Sequence, residues 1–319
     1  MKRFLFHRLL ALLPVLLVVS VVVFCLVHLA PGDPVLVILG NDASPADVAA
    51  LRQQMGLDRP FLVQFLHWFG AVLSGDLGHS LFLNSSVMSL FLQHLTPTLA
   101  LAFYAQLIAL VLGLAGGVLG AWQHGRLTDR VIRGLATLGM SVPGFLLGLF
   151  LIFFFAVQLR WFPVVGYRST NADWLMNLWY LTLPAIALAF RIAALIARMT
   201  RAVMLDVMQE GFINTARAKG VPERWVLLSH TLKNALIPIL TICGESFASL
   251  VTGTIVIESV FGIPGVGSLI VDSIERRDVT VIQGVVLLIT VCYVLINLAV
   301  DLLSYLADPR LSVEGAENP

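Results

Sequence analysis

Two ionisable side chains, Arg191 and Glu245, lie inside otherwise apolar stretches of the chain. A charge at bilayer depth costs ~2.5–3.5 kcal/mol on insertion scales, and it faces a bundle interior or water rather than lipid. Counted from Arg201, Arg191 lies about 15 Å deep at 1.5 Å per residue; counted from Leu236, Glu245 lies about 13.5 Å deep. Opposite charges at similar depth allow two readings. One is a buried ion pair that fixes helix packing, and the other is a pair of residues facing a cargo path. Glu258 and Asp301 sit nearer the ends of their apolar runs, beside polar residues, and read as structural. Other chemistry is missing from the motifs. None of the three lysines, Lys2, Lys219 and Lys233, is preceded by Gly and followed by Ser or Thr, so there is no phosphate loop. There is no H-E-x-x-H and no G-x-S-x-G. Cys25, Cys243 and Cys292 fall in apolar runs without a C-x-x-C, and His28 and His94 stand far apart, so no metal site is expected. No residue here is read as catalytic or as holding a cofactor. Any energy for work must come from a partner ATPase or an ion gradient.

The elements that would position these residues are membrane helices. The chain has 319 residues, 58% hydrophobic and 12% charged, with mean hydropathy +0.91. Soluble domains carry about 25% charged residues, and apolar runs beyond about 18 residues mark membrane spans. Formal net charge is +1, which gives no electrostatic case for nucleic acid.

One transmembrane domain over 1–319 is expected, an all-α polytopic fold with six spans. The first is 9–29, too long for a signal-peptide core and followed by Ala30-Pro31-Gly32 without a cleavage pattern, so it reads as retained. Residues 31–95 form the long extramembranous region. The turn Pro31-Gly32-Asp33-Pro34 opens it, and an aromatic amphipathic segment, 61–73, lies within it. A five-span core, 98–302, follows, with spans at 98–121, 134–157, 180–200, 236–257 and 281–302, and 303–319 is a tail. Gly113/Gly117 and Gly116/Gly120 give the small-residue spacing of close helix contact. Pro143-Gly144 should break the third span.

Sidedness follows from lysine and arginine. With the N-terminus inside, thirteen of the twenty basic residues fall in inside segments and six in outside segments, Arg191 being mid-span. The assignment is N-in and C-in, with 201–235 in the cytoplasm and 31–95 outside.

The cytoplasmic stretch reads as two helices and a corner. Met204, Met208 and Phe212 recur four apart over 201–218, Gly220 suits a left-handed cap, and Pro222 suits the first turn of a new helix. Trp225, Leu228 and Leu232 mark one face of that second helix. Within this stretch, Asn214-Thr215-Ala216-Arg217-Ala218-Lys219-Gly220-Val221, followed by His230-x-Leu232-Lys233-Asn234-Ala235-Leu236-Ile237-Pro238, resembles the coupling ("EAA") loop of ABC-importer permeases in the dipeptide/oligopeptide/nickel subfamily. The triplet falls on Asn214, Thr215 and Ala216, so its Glu and first Ala are replaced. Further turns match the subfamily: Pro31-Gly32-Asp33-Pro34, then Glu258, Phe261, Pro264, Gly265 and Gly267, and the Asp308-Pro309-Arg310 ending.

The resemblance implies the type I importer permease fold, in a bacterial inner membrane. It implies a second homologous permease, two cytoplasmic ATPases that hold ATP and Mg, an extracytoplasmic solute-binding protein, and a small solute as cargo, a di- or oligopeptide before nickel. The chain itself would hold no cofactor and hydrolyse nothing. An ion-driven secondary transporter or channel is the rival reading, and it would show internal repeats and paired midplane acids. Neither is evident. An intramembrane enzyme would need a nucleophile–base or metal constellation that the motifs do not supply.

Overall fold

The computed structural model describes residues 10, 14–25, 34–40, 43–54, 56–80, 82–167 and 174–307. Pro31, Gly32, Asp33 and the Asp308-Pro309-Arg310 ending lie outside them. The described residues are helical, with a single isolated bridge between His79 and Ser86. Among the described residues, four helices are long and apolar enough to cross a membrane, or up to six if each of two bent helix pairs is one span. A shorter apolar helix, α1 (Pro14–Cys25), falls where the first span is expected. The all-α, multi-span expectation therefore holds.

The chain divides into two compact units. The first comprises 1–96 and 265–294. It holds α1, α2 (Pro34–Leu39), α3 (Pro45–Gln54), α4 (Phe61–Leu73), α13 (Val266–Glu275) and the nearer ends of α5 (Val87–Trp122) and α14 (Val279–Ala307). Ser44 caps α3, its hydroxyl accepting from the Asp47 N–H at 3.2 Å. The aromatic face of α4 gathers around Phe24 of α1, with Phe61, Phe65 and Trp68 rings 5.2–5.4 Å from it. A second cluster packs Val87, Leu90 and Phe91 of α5 against Leu269, Val281 and Val285. Asp278, 2% exposed, closes this unit: its carboxylate accepts from Ser80 Oγ at 2.5 Å and from the Val281 N–H at 3.3 Å.

The second unit comprises 97–264 and 295–319. It contains most of α5, α6 (Leu127–Ser141), α7 (Gly144–Leu151) with a wide turn at Ile152–Gln158, and α8 (Trp174–Val207). It continues with α9 (Gly211–Ala218), α10 (Glu223–Trp225) with a second wide turn at Val226–Thr231, α11 (Leu232–Gly253) and α12 (Ile255–Phe261). The break before Gly144 is as expected: α6 and α7 meet at 101° across Pro143. The expected fifth span, 236–257, stops short instead. Helix α11 ends at Gly253, and the separate helix α12 follows it and ends at a turn, at Gly262, where an outer loop is expected. Left-handed Gly262, φ +60°, permits the turn, and any β-carbon there would strike Val165.

Helix α8 is the centre of this unit. Its core side chains are small, Ala185, Ala187, Ala189 and Ala193 among them, so neighbours approach closely. A β-carbon on Gly113 of α5 would lie 2.7 Å from Ile196, and one on Gly117 would lie 2.5 Å from Thr200. Gly116 is different, since a β-carbon there meets Ala197 at an ordinary 3.5 Å. Gly117→Leu is therefore expected to lower thermal stability in detergent by about 1–3 kcal/mol through overpacking. Gly116→Ala should melt with the parent. Equal melting of all three proteins would show that this helix contact is not tight.

Candidate functional site

The cytoplasmic corner is built from residues close in sequence, and its geometry follows from the local backbone. Helix α8 stops at Val207; Glu210, extended at φ −66° and ψ 144°, starts α9 instead. The single helix expected over 201–218 is thus two, and Met204 and Phe212 do not share a face: Met204 is fully buried and Phe212 is 45% exposed. Helix α9 buries Ile213 and Ala216 against Val226, with Val221 beside them. The remaining expected loop residues, Asn214, Thr215, Arg217, Ala218, Lys219 and Gly220, are exposed. Gly220 adopts φ +77° in open space, as the corner requires. Pro222 does not begin the next helix but precedes it, with Glu223 as its first residue. Arg217 donates across the corner to Glu223, Nη2 to Oε1 at 2.8 Å and Nε to Oε2 at 3.3 Å. This pair holds the Glu223 carboxyl below its ordinary range, and both groups are exposed, so it orients the corner more than it stabilises it. Beyond it, the expected apolar face of Trp225 and Leu228 points outward, each 57% exposed, because the wide turn at Val226–Thr231 rotates Val226 and Leu227 inward.

Above the corner sits an ionic clamp that sequence reasoning missed. Asp129 in the connector before the third span is fully buried. It accepts from Arg201 Nε at 2.6 Å, from Arg201 Nη2 at 2.9 Å and from the Gly125 N–H at 2.9 Å. Arg133 Nε lies 3.7 Å away, and His124 Nδ1 is 2.9 Å from Arg201 Nη2. The Arg201 hydrogen bonds outweigh burial and hold the Asp129 carboxyl at about 2. The available signal was compositional: Asp129 is the one acid in a connector with three arginines, Arg126, Arg130 and Arg133.

Glu258 is fully buried, its Oε1 accepting from Thr98 Oγ1 and Thr254 Oγ1, each at 2.7 Å. That is a structural role, as expected. Phe261 is buried in the α8 cluster. Pro264 and Gly265 form the turn into α13, whose first turn holds buried Gly267.

The ion pair between Arg191 and Glu245 is not formed. Both residues are exposed, and no ion pair joins them. The reason is azimuthal. Each helix turns other positions into the shared core, Ile192, Ala193 and Ile196 on α8 and Leu250 and Val251 on α11, and the two charges lie off those positions. Arg191 shares the exposed strip of α8 with Arg198 and Ala202, and Glu245 shares that of α11 with Ser249.

The second unit thus packs a bent helix pair, α6 and α7, on the alanine-rich helix α8 and carries an exposed glycine corner beyond it. Residues 109–313 match the family described as binding-protein-dependent transport system inner membrane component, and residues 1–102 match the N-terminal component of the same systems. The chain belongs to this family; it is a multi-pass transmembrane permease subunit of an ATP-driven ABC importer, in the bacterial inner membrane. A probable peptide ABC transporter permease, y4tP, of Sinorhizobium fredii (strain NBRC 101917 / NGR234) is 43% identical over 98% of this chain and 99% of its own. The glutathione transport system permease GsiC of Escherichia coli (strain K12) is 42% identical with the same coverage. Among solved structures, the MetNI methionine ABC transporter in an inward-facing conformation matches 69% of this chain and 97% of its own, with TM-score 0.57 and 22% identity. An amino acid ABC transporter matches 70% and 94%, with TM-score 0.52 and 21% identity. These two support the fold alone.

Proposed function

We propose that this permease carries a di- or oligopeptide inward, paired with a second homologous permease and two cytoplasmic ATPases, and loaded by an extracytoplasmic binding protein. The observation that carries the reading is the α9 corner. A short helix held by two buried residues presents its polar side outward, at the end of a glycine-capped turn, where a soluble ATPase can seat it. ATP and Mg are bound on those partners, and this chain performs no covalent chemistry. Peptide as cargo is supported by the peptide and glutathione assignments of relatives that align over the whole chain. Closure of the ATPases would draw the corners together and switch the bundle between two packings, opening the path to the outer side.

The test is uptake of a labelled dipeptide and of labelled glutathione by membrane vesicles containing the full transporter. Uptake should stop when ATP is depleted and persist when the proton and sodium gradients are collapsed. The chain should also co-purify with an ATPase in mild detergent. Uptake that follows an ion gradient and ignores ATP would establish the rival secondary-transporter reading.

A further inference from the structure

Helix α11 exposes two opposite faces. One is apolar: Leu236 and Leu240, 37% and 50% exposed. Across the helix, Asn234, Pro238, Thr241, Glu245, Ser249 and Thr252 follow one another at spacings of four, three, four, four and three, which keeps them in one narrow strip at 3.6 residues per turn. None of the six is buried, and none is an apolar side chain apart from the proline. The strip runs about 27 Å at 1.5 Å per residue. That is close to the hydrocarbon thickness of about 30 Å. Farther along the leucine side the helix is covered by its own unit: Phe247 packs on Phe103 at 4.7 Å, the Cys243 carbonyl accepts from Gln106 Nε2 at 3.2 Å, and Gly244 lies against Val300.

Two groups on this strip demand more than lipid. The Glu245 carboxylate sits near mid-depth with no ion pair among the described residues, a position tolerated only beside water or a counter-charge. Pro238 lies inside the helix and has no N–H, so the Asn234 carbonyl loses its ordinary helical partner on the same strip. The hydroxyls of Thr241 and Thr252 bond back to Ile237 and Ala248 carbonyls and make no such demand. The leucine face therefore suits lipid, and the polar strip suits water.

We propose that this strip is the water-exposed wall of the cargo path, and that Glu245 attracts the cationic ammonium group of the cargo as it passes. This rests on the importer reading and assigns residues and a ligand charge to it. The test uses the full transporter in membrane vesicles with Cys25, Cys243 and Cys292 replaced by serine. Single cysteines are placed at Thr241, Ser249, Leu236 and Leu240. Cationic and anionic impermeant thiosulfonates of equal size are the probes. Thr241→Cys and Ser249→Cys should react, Leu236→Cys and Leu240→Cys should not, and the cationic reagent should react about tenfold faster, the ratio set by roughly 1.4 kcal/mol of charge attraction. Adding Glu245→Gln should abolish that preference while leaving both sites reactive. Unreactive strip cysteines with and without ATP would mean that the second permease covers the strip, and the proposal fails. Reaction without charge preference, or one unchanged by Glu245→Gln, overturns the role of Glu245. ATP-driven uptake by the cysteine-free parent is read separately, so loss of the importer reading is distinguishable from loss of the strip.

Discussion

Asp129→Asn lowers the thermal unfolding transition of the detergent-purified protein more than Gly117→Leu or Gly220→Val does. The substitution keeps the shape and removes the charge that Arg201 faces at 2.6 and 2.9 Å. Asp129 is 1% exposed at its side chain and Arg201 17%, so the guanidinium, mostly shielded from water, loses its counter-charge. Orphaning one member of a buried pair costs ~3–5 kcal/mol. The double variant Asp129→Leu, Arg201→Met removes both charges and should recover much of that loss. If the asparagine variant melts with the parent, the clamp contributes nothing. The pH dependence follows from the same contacts. The carboxyl titrates at about 2 in the fold against an ordinary 3.8, so its folded-state pKa is depressed. The stabilisation is therefore complete above about pH 4 and lost as pH falls through 2, and it amounts to about 2 kcal/mol at 1.36 kcal/mol per unit.

Gly220→Val should abolish most ATP-driven uptake while the transporter stays assembled. At φ +77° there is nothing within 4 Å of an added β-carbon, so no neighbour is struck and the bundle is untouched. The penalty is in the backbone alone, about 1–2 kcal/mol for a branched residue in the left-handed region. That is enough to repopulate the corner away from its docked shape, and each 1.4 kcal/mol is a factor of ten in occupancy. Uptake is expected to fall about tenfold, with unchanged melting and unchanged co-purification. Gly220→Asn, which tolerates this conformation, should retain most activity. Full uptake by the valine variant would remove the corner from the coupling mechanism.

Local features were legible from residues alone. Apolar runs gave the spans of α5, α8 and α14, Pro143 gave the break between α6 and α7, and Gly220 with Pro222 gave the cytoplasmic corner, because each acts on its own backbone. What stayed hidden depends on which way a helix is turned or on partners far apart in sequence. Arg201 and Asp129 are separated by 72 residues, and Thr98 and Glu258 by 160. Depth along a span can be counted, so Arg191 and Glu245 were placed at equal height. Their directions around their helices are set by packing that only the fold supplies, and these directions point them apart from a pair. Likewise Met204, Met208 and Phe212 carry a helical period straight through a point where the extended backbone of Glu210 interrupts the helix.

The 34 residues of α8 make a rod about 51 Å long, against about 30 Å of hydrocarbon. The contacts of Gly113 and Gly117 grip it near Ile196 and Thr200, well off centre. From Ile196 the arm toward Val207 and the cytoplasmic corner is about 16 Å, and the arm toward Trp174 is about 33 Å. Were α8 to tilt as a rod about that point, its far end would move about twofold farther than its short end, and in the opposite sense.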